Sequence, residues 1–113
     1  MKSKSTWLSR TKDAALEKAL VMLLGPKIER YGEVRQFTLD TTGKTLSAEI
    51  VLRGESTPLV ISEAQYRIEE RRDGSFLVVY AVKVSKEWVQ NLLTDHFPEI
   101  ALKIPDFLKA LIK

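Results

Sequence analysis

The chain has 113 residues, of which 44% are apolar, with no cysteine, one histidine and a formal net charge of +3. This length predicts one domain, residues 1–113, large enough for a single core, and the lack of cysteine excludes disulfides, thiolate nucleophiles and cysteine-bound metals. Charges of both signs are interleaved, as in Glu69-Glu70-Arg71-Arg72-Asp73, which is typical of a solvated face, so no nucleic-acid partner is expected.

The first predicted element is a helix over residues 7–24, where leucine and alanine recur mostly at three- and four-residue spacings. Gly25-Pro26 predicts its end, because glycine is common just past a helix and proline cannot continue one. Pro26 then opens a short second turn over Lys27–Tyr31, since proline suits the first position of a helix.

The N-terminal segment does not have the pattern of a targeting sequence. Met1-Lys2-Ser3-Lys4 is basic, but the apolar run Ala19–Leu24 comes too late and is too short for a signal peptide. No stretch of the sequence approaches the roughly 18–20 apolar residues of a membrane span. The expected location is therefore the cytoplasm.

A β-hairpin is predicted next, with strands over Glu33–Asp40 and Thr45–Arg53 and the loop Thr41-Thr42-Gly43-Lys44 between them. In the second strand apolar and polar residues alternate almost without a break, which predicts one buried and one solvated face. The loop length brings apolar residues opposite each other. The predicted pairs are Leu39 with Leu46 and Phe37 with Ala48.

A second hairpin is predicted over Leu59–Arg71 and Ser75–Val84, with Asp73-Gly74 at its turn. A two-residue turn pairs Arg72 with Ser75 and sets apolar residues of the fourth strand against charged residues of the third. A three-residue loop pairs apolar with apolar residues and is preferred for that reason. Its predicted pairs are Ile68 with Val78 and Tyr66 with Tyr80.

The fourth strand is apolar at both parities, which predicts a strand that is covered on both faces. Its two faces are Phe76, Val78, Tyr80 and Val82, and Leu77, Val79 and Ala81. Three explanations for this surplus apolar surface stay open. The C-terminal elements cover it, a symmetric homodimer buries it, or the sheet and the helix enclose an apolar ligand.

Helical and extended segments complete the chain. Ser85-Lys86-Glu87-Trp88 opens a helix that Pro98 limits, Ile100–Ile104 forms a short strand or an extended arm, and Phe107–Ile112 forms a last helix. Sequential strands joined by short loops usually pair in order. The predicted fold is therefore α+β: an N-terminal helix packed on a four-stranded antiparallel meander, followed by C-terminal helices.

Few side chains are suited to catalysis. His96 follows Asp95, which suggests a general base, but a histidine at the end of a helix is electrostatically favoured without any catalytic role. Glu69 and Glu70 point to opposite faces of a strand, and a proline separates Asp95 from Glu99. We therefore expect no enzyme, no catalytic residue, no metal ligand and no cofactor.

The aromatic residues raise the question of RNA binding, which needs exposed rings flanked by basic side chains. Tyr66, Phe76 and Tyr80 fall on the predicted buried face, where core packing explains them. Arg67 and Arg71 fall on the predicted solvated face together with glutamates, which weakens a nucleic-acid function.

Three short motifs carry a resemblance: Gly54-Glu55, Ser85-Lys86-Glu87-Trp88 and Ile104-Pro105. With them the chain resembles short uncharacterised bacterial proteins of similar length, in which a helix precedes strands that reach a Gly-Glu corner and a Ser-x-x-Trp helix opening. This resemblance implies no activity and no functional residue. The order of a helix on a curved sheet is also similar to that of tubular lipid-binding domains.

The sequence thus predicts a non-catalytic binding domain for an apolar or lipid-like ligand. A membrane surface is a related alternative, because Trp7 and Leu8 lie among the four basic residues between Lys2 and Lys12. The main alternative is a self-associating structural or protein-interaction module, a homodimer. A small hydrolase-type enzyme that uses His96 is disfavoured.

Overall fold

The computed structural model describes residues 2–112, with side chains described from Lys12 to Ile112. Its elements are α1 (Lys2–Ile28), β1 (Gly32–Asp40), β2 (Thr45–Leu52), β3 (Leu59–Arg71), β4 (Gly74–Val84), α2 (Glu87–His96), β5 (Glu99–Ile104) and α3 (Asp106–Ile112). The five strands form one antiparallel sheet in the order β1-β2-β3-β4-β5. The predicted α+β class is confirmed, and the segment predicted as a strand or an arm is a fifth strand, β5, beside β4.

The first helix does not stop at Gly25-Pro26, so the predicted end there and the separate turn over Lys27–Tyr31 are wrong. Proline removes one backbone donor and crowds the carbonyl of the preceding turn, so its position inside α1 has a cost. Leu20, Leu24 and Ile28 follow one another at four-residue spacing and line the same cavity. A regular helix keeps Ile28 on the side that faces the sheet, which offsets the lost hydrogen bond.

The helix α1 covers the edge of the sheet at β1. The Leu39 N–H donates to the Glu17 carboxylate, 2.7 Å from Oε2. The Thr41 N–H and hydroxyl donate to the buried carboxylate of Asp13, at 3.2 Å to Oδ2 and 2.6 Å to Oδ1. Carboxylates of α1 thus accept hydrogen bonds from backbone N–H groups at this side of the sheet. These bonds and the helix itself block that edge against pairing with another strand.

The first hairpin has the predicted register. Leu39 lies opposite Leu46 and Phe37 lies opposite Ala48. All four side chains face the inner side of the sheet, where α1 lies. Loop length and apolar alternation favour the same pairing here, so each supports the other.

The second hairpin has neither of the two predicted registers. Its turn consists of Arg72 and Asp73, and its pairs include Arg71 with Gly74, Ile68 with Leu77 and Tyr66 with Val79. Gly74 has a φ of 140°, a backbone conformation that favours glycine. Leu77 and Val79 therefore share the inner face with Tyr66. The face of Phe76, Val78 and Tyr80 is the outer one, opposite to the prediction.

Long basic side chains cover the aromatic residues of the outer face. The Arg67 Cζ atom lies 5.2 Å from the centre of the Tyr80 ring, and the Arg71 Cζ atom lies 4.7 Å from that of Phe76. An arginine lays its aliphatic stem and planar head on an apolar surface and keeps its charge near water. The surplus apolar surface of β4 is thus covered by the neighbouring strand, so matching apolar residues alone predicted the wrong register.

A bulge at Ala81 changes which side chains of β4 face inward. Ala81 has a φ of 53°, and around it β4 advances three residues while β3 advances two. In an unbroken strand, two side chains three positions apart point to opposite faces of the sheet. The extra residue changes this, so Val79 and Val82 both point to the inner face. The prediction that Val82 and Tyr80 lie on the same face of β4 is therefore wrong as well.

The core lies at one end of the inner face, which we call the core end. Its buried residues form one cluster: Leu16, Leu20, Leu39, Leu46, Ala64, Tyr66, Leu77, Ile104, Leu108 and Ile112. The helix α3 covers this end with Leu108 and Ile112, and its Lys109 Nζ lies 2.8 Å from Glu70 Oε2 of β3. The C-terminal helix α3 therefore lies on the same inner face as α1. The explanation that C-terminal elements cover the other face of β4 is not what the structure shows, because Arg67 and Arg71 of β3 cover the rings there.

Candidate functional site

Beside the core end, the sheet and the helices α1 and α2 border a cavity of about 260 Å³, which we call the apolar cavity. All five strands and both helices contribute to its lining, and no polar atom of the described residues faces it. The lining residues are Leu20, Leu24, Ile28, Val34, Phe37, Leu46, Ala48, Ile50, Leu59, Ile61, Ala64, Leu77, Val79, Val82, Val84, Leu93, Ile100 and Leu102.

This space stays open because some of the side chains around it are small, and because none of the described helices packs over it as α3 packs over the core end. Ala48 and Ala64 occupy inner-face positions on β2 and β3, and Val82 occupies one on β4. At the core end α3 brings Leu108 into the cluster of buried residues, whereas α2 contributes only Leu93 to the cavity lining. The two ends of the inner face therefore differ in packing, although the strands that form them are continuous.

The helix α2 lies at the apolar cavity with little burial of its own. None of its residues is buried, and Trp88 and Leu92 are 59% and 42% exposed. Gln90 binds the helix to β4: its Nε2 donates to the Val82 carbonyl oxygen and its Oε1 accepts from the Val84 N–H, each at 2.9 Å. These peptide groups lie beyond the part of β4 that pairs with β5, so a side-chain amide completes the sheet there.

The segment before α2 is tied to the sheet as well. The Ser85 N–H donates to the Val60 carbonyl oxygen, and the Val60 N–H donates to Ser85 Oγ, each at 2.9 Å. Lys86 Nζ lies 3.1 Å from Glu55 Oε1. Polar contacts along its first turns therefore hold α2 in place, rather than a buried apolar face.

On the outer face of the sheet, carboxylates engage the arginine residues. Arg67 Nη2 lies 2.6 Å from Glu69 Oε2 and 3.0 Å from Glu99 Oε1. Arg71 Nη2 lies 2.9 Å from Glu69 Oε1. The hydrogen bonds that Arg67 donates to Glu99 and then to Glu69 raise the pKa of Arg67, and those that Glu69 accepts from Arg67 and Arg71 lower the pKa of Glu69. The guanidinium groups held in this way cover the aromatic rings of the outer face. The absence of a nucleic-acid partner stays a prediction.

The residues considered for catalysis do not come together in one site. His96 and Asp95 are exposed at the end of α2. Glu69 bonds to arginine on the outer face, while Glu70 bonds to Lys109 on the inner side, so the two carboxylates diverge as predicted. Over the residues described, no three histidine, aspartate or glutamate side chains come together as metal ligands.

None of the helices, as far as the structure describes them, has the length and hydropathy that crossing a bilayer requires. The membrane-surface alternative depends on Trp7 and Leu8, whose side chains lie outside the described residues.

Comparison with known proteins finds no family model, no curated protein and no solved structure that matches this chain. The resemblances to short bacterial proteins and to tubular lipid-binding domains therefore gain no support from these comparisons. The apolar cavity is the feature of the described structure that bears most on function.

Sequence reasoning missed two features that shape the cavity, the bulge at Ala81 and the anchor at Gln90. An alanine with positive φ has no turn signature, and a glutamine on a short helix resembles any solvated residue. Because β4 is apolar at both parities, its alternation shows no break that would predict the bulge.

Proposed function

We propose that this chain is a non-catalytic binding domain whose ligand is an apolar molecule, or the hydrocarbon part of a lipid-like molecule, held in the apolar cavity. The observation that carries the proposal is the cavity itself, about 260 Å³ with a lining of apolar side chains only. Concave, mostly apolar sites of this kind are where proteins bind small molecules.

An unfilled cavity of this size is unfavourable for folding. The side chains that line it lack contacts on the side of the open space, and missing contacts of this kind destabilise a fold. A ligand that fills the space recovers part of this free energy, which favours a cavity with an occupant over a packing defect.

The size and lining of the cavity define the class of ligand. An apolar cavity of about 150 Å³ is large enough for benzene, and sites for drug-sized ligands begin near 300 Å³. The expected ligand is therefore a small apolar molecule or one short hydrocarbon segment. Since no donor or acceptor faces the cavity, a polar group of the ligand stays outside it, and recognition depends on size and shape.

Titration with N-phenyl-1-naphthylamine, a neutral fluorophore whose emission rises in apolar surroundings, tests the proposal. We expect saturable binding by the wild type. Ala48→Phe places a ring in the cavity and should weaken binding at least about tenfold, a loss of about 1.4 kcal/mol. Ala110→Phe is the matched control, because Ala110 is exposed on α3 and does not line the cavity.

Displacement of the fluorophore by alcohols of increasing chain length then measures how much hydrocarbon the cavity accepts. Circular dichroism establishes that both phenylalanine variants are folded. An absence of saturable binding by the wild type contradicts the proposal, as does unchanged binding by a folded Ala48→Phe variant.

A further inference from the structure

The two edges of the sheet differ in how they are protected. At β1, the Glu17 carboxylate accepts a hydrogen bond from the Leu39 N–H, and the Asp13 carboxylate accepts one from the Thr41 N–H directly after the strand. At β5, within the part of the chain that the structure describes, no side chain or loop hydrogen bonds to the peptide groups that point away from β4. An extended strand with free donors and acceptors is a template for pairing with another strand.

We propose that β5 pairs with β5 of a second copy of this chain, antiparallel about a two-fold axis that passes beside Ala101. The two five-stranded sheets then join edge to edge into one continuous sheet. This inference is independent of the ligand proposed above, since it depends on the backbone and charges of β5 and not on what fills the cavity.

Charge complementarity selects this register. Glu99, Ala101 and Lys103 alternate with Ile100 and Leu102, which line the cavity. With Ala101 opposite Ala101 of the second copy, each Glu99 lies opposite a Lys103, and each Ile100 lies opposite a Leu102. Opposite charges and apolar pairs directly across a strand pair are both stabilising.

The neighbouring registers are less favourable. An axis between Ala101 and Leu102 sets Lys103 against Ile100, so the inner face of one copy continues as the outer face of the other. An axis beside Leu102 keeps the faces aligned, but it sets Lys103 opposite Ala101 and moves Glu99 past the end of the paired strand. Only the axis beside Ala101 satisfies both the faces and the charges.

The side chains at the proposed interface are available for it. Lys103 forms no ion pair with any described residue, and Glu99 bonds to Arg67 through Oε1 alone. Ile100 of β5 and Phe97, two residues before the strand, are 42% and 53% exposed. Pairing with a second copy covers apolar surface there as well as the strand edge.

Sedimentation velocity over about 1 µM to 1 mM protein tests the proposal. A strand of this length gives a small interface, so we expect a reversible equilibrium between one and two chains. Ala101→Lys places two lysines opposite each other at the axis and should raise the dissociation constant at least about tenfold. Thr38→Lys is the matched control, with the same added charge at an exposed position on the protected β1 edge; it should leave the equilibrium unchanged.

A charge exchange provides the second measurement. Lys103→Glu sets Glu99 against a glutamate of the other copy and should weaken the dimer, whereas combining it with Glu99→Lys restores opposite charges and should restore association. A wild type that sediments as one chain at 1 mM overturns the proposal. So does a dimer that is unaffected by both Ala101→Lys and Lys103→Glu, because its interface then lies elsewhere.

Discussion

Among single residues, Tyr66 has the least satisfied polar group of the core. Its side chain is 1% exposed, and its hydroxyl has no hydrogen-bond partner among the described residues. Burial, and then the negative charges of Asp13 and Asp40, raise the pKa of the Tyr66 hydroxyl above its ordinary value. The ring stabilises the core through its buried surface, while the hydroxyl is desolvated with no compensating bond to a described residue.

We expect Tyr66→Phe to have an unchanged or higher free energy of unfolding at neutral pH, because the ring stays and an unpaired polar atom is removed. The raised pKa adds a pH dependence. Above about pH 10 the unfolded wild type releases the phenolic proton while the folded protein retains it, so wild-type stability falls as pH rises.

Relative to the wild type, the Tyr66→Phe variant should therefore gain about 1.4 kcal/mol per pH unit above pH 10. Urea melts of both proteins at pH 7, 9 and 11 measure the difference. A loss of more than about 1 kcal/mol in the variant at pH 7 contradicts this account, since it shows that the hydroxyl makes a stabilising bond.

Among the elements, α1 and α2 contribute to the fold in different ways. The helix α1 buries Leu16 and Leu20 in the core and holds the edge of β1 through two carboxylates. The helix α2 has no buried residue and is held by polar contacts, chiefly those of Gln90. Elements with few buried apolar contacts open at the lowest free energy, so α2 is the side from which the cavity is most easily reached.

Two leucine-to-alanine substitutions test this difference between the helices. Leu20→Ala should lower the free energy of unfolding by about 2–5 kcal/mol, because Leu20 is fully buried. Leu92→Ala on α2 should change it by less than about 1 kcal/mol, because that side chain is 42% exposed. Urea unfolding measures both values, and equal losses would rule out the assignment of α1 as the main packed layer.

For the molecule as a whole, the inner face of one sheet serves two purposes. At the core end, leucine and isoleucine side chains of α1 and α3 pack on it around the buried ring of Tyr66 of β3. At the other end, small residues and the loosely packed α2 leave the apolar cavity of about 260 Å³. The packed half supplies the stability that allows the other half to stay open.

This division predicts opposite effects of one substitution on stability and on binding. Without ligand, Ala48→Leu should raise the free energy of unfolding by about 0.5–2 kcal/mol, because the three added carbon atoms of leucine occupy empty apolar space. The same variant should bind the naphthylamine fluorophore more weakly than the wild type. Urea melts and the titration described above measure the two effects, and a destabilised Ala48→Leu variant would show that there is no room beside this residue.

Some of this structure follows from the sequence directly. The α+β class, the order of the elements and the register of the first hairpin follow from apolar alternation and loop length, which are local properties of the chain. Surplus apolar surface on β4 also predicted that something covers or fills the space beside the sheet. The sequence alone did not distinguish C-terminal coverage from a second copy or a ligand, because the same apolar pattern fits all three.

Tertiary structure alone decided the register of β3 against β4, the course of α1 past Pro26, and the position of the apolar cavity. In each case the outcome depends on which distant group covers an apolar side chain. Arg67 and Arg71 cover rings that the apolar pattern assigned to the core. A pattern of apolar residues shows that burial is required, and it does not show which of several distant groups provides it, because that choice depends on the packing of the whole chain.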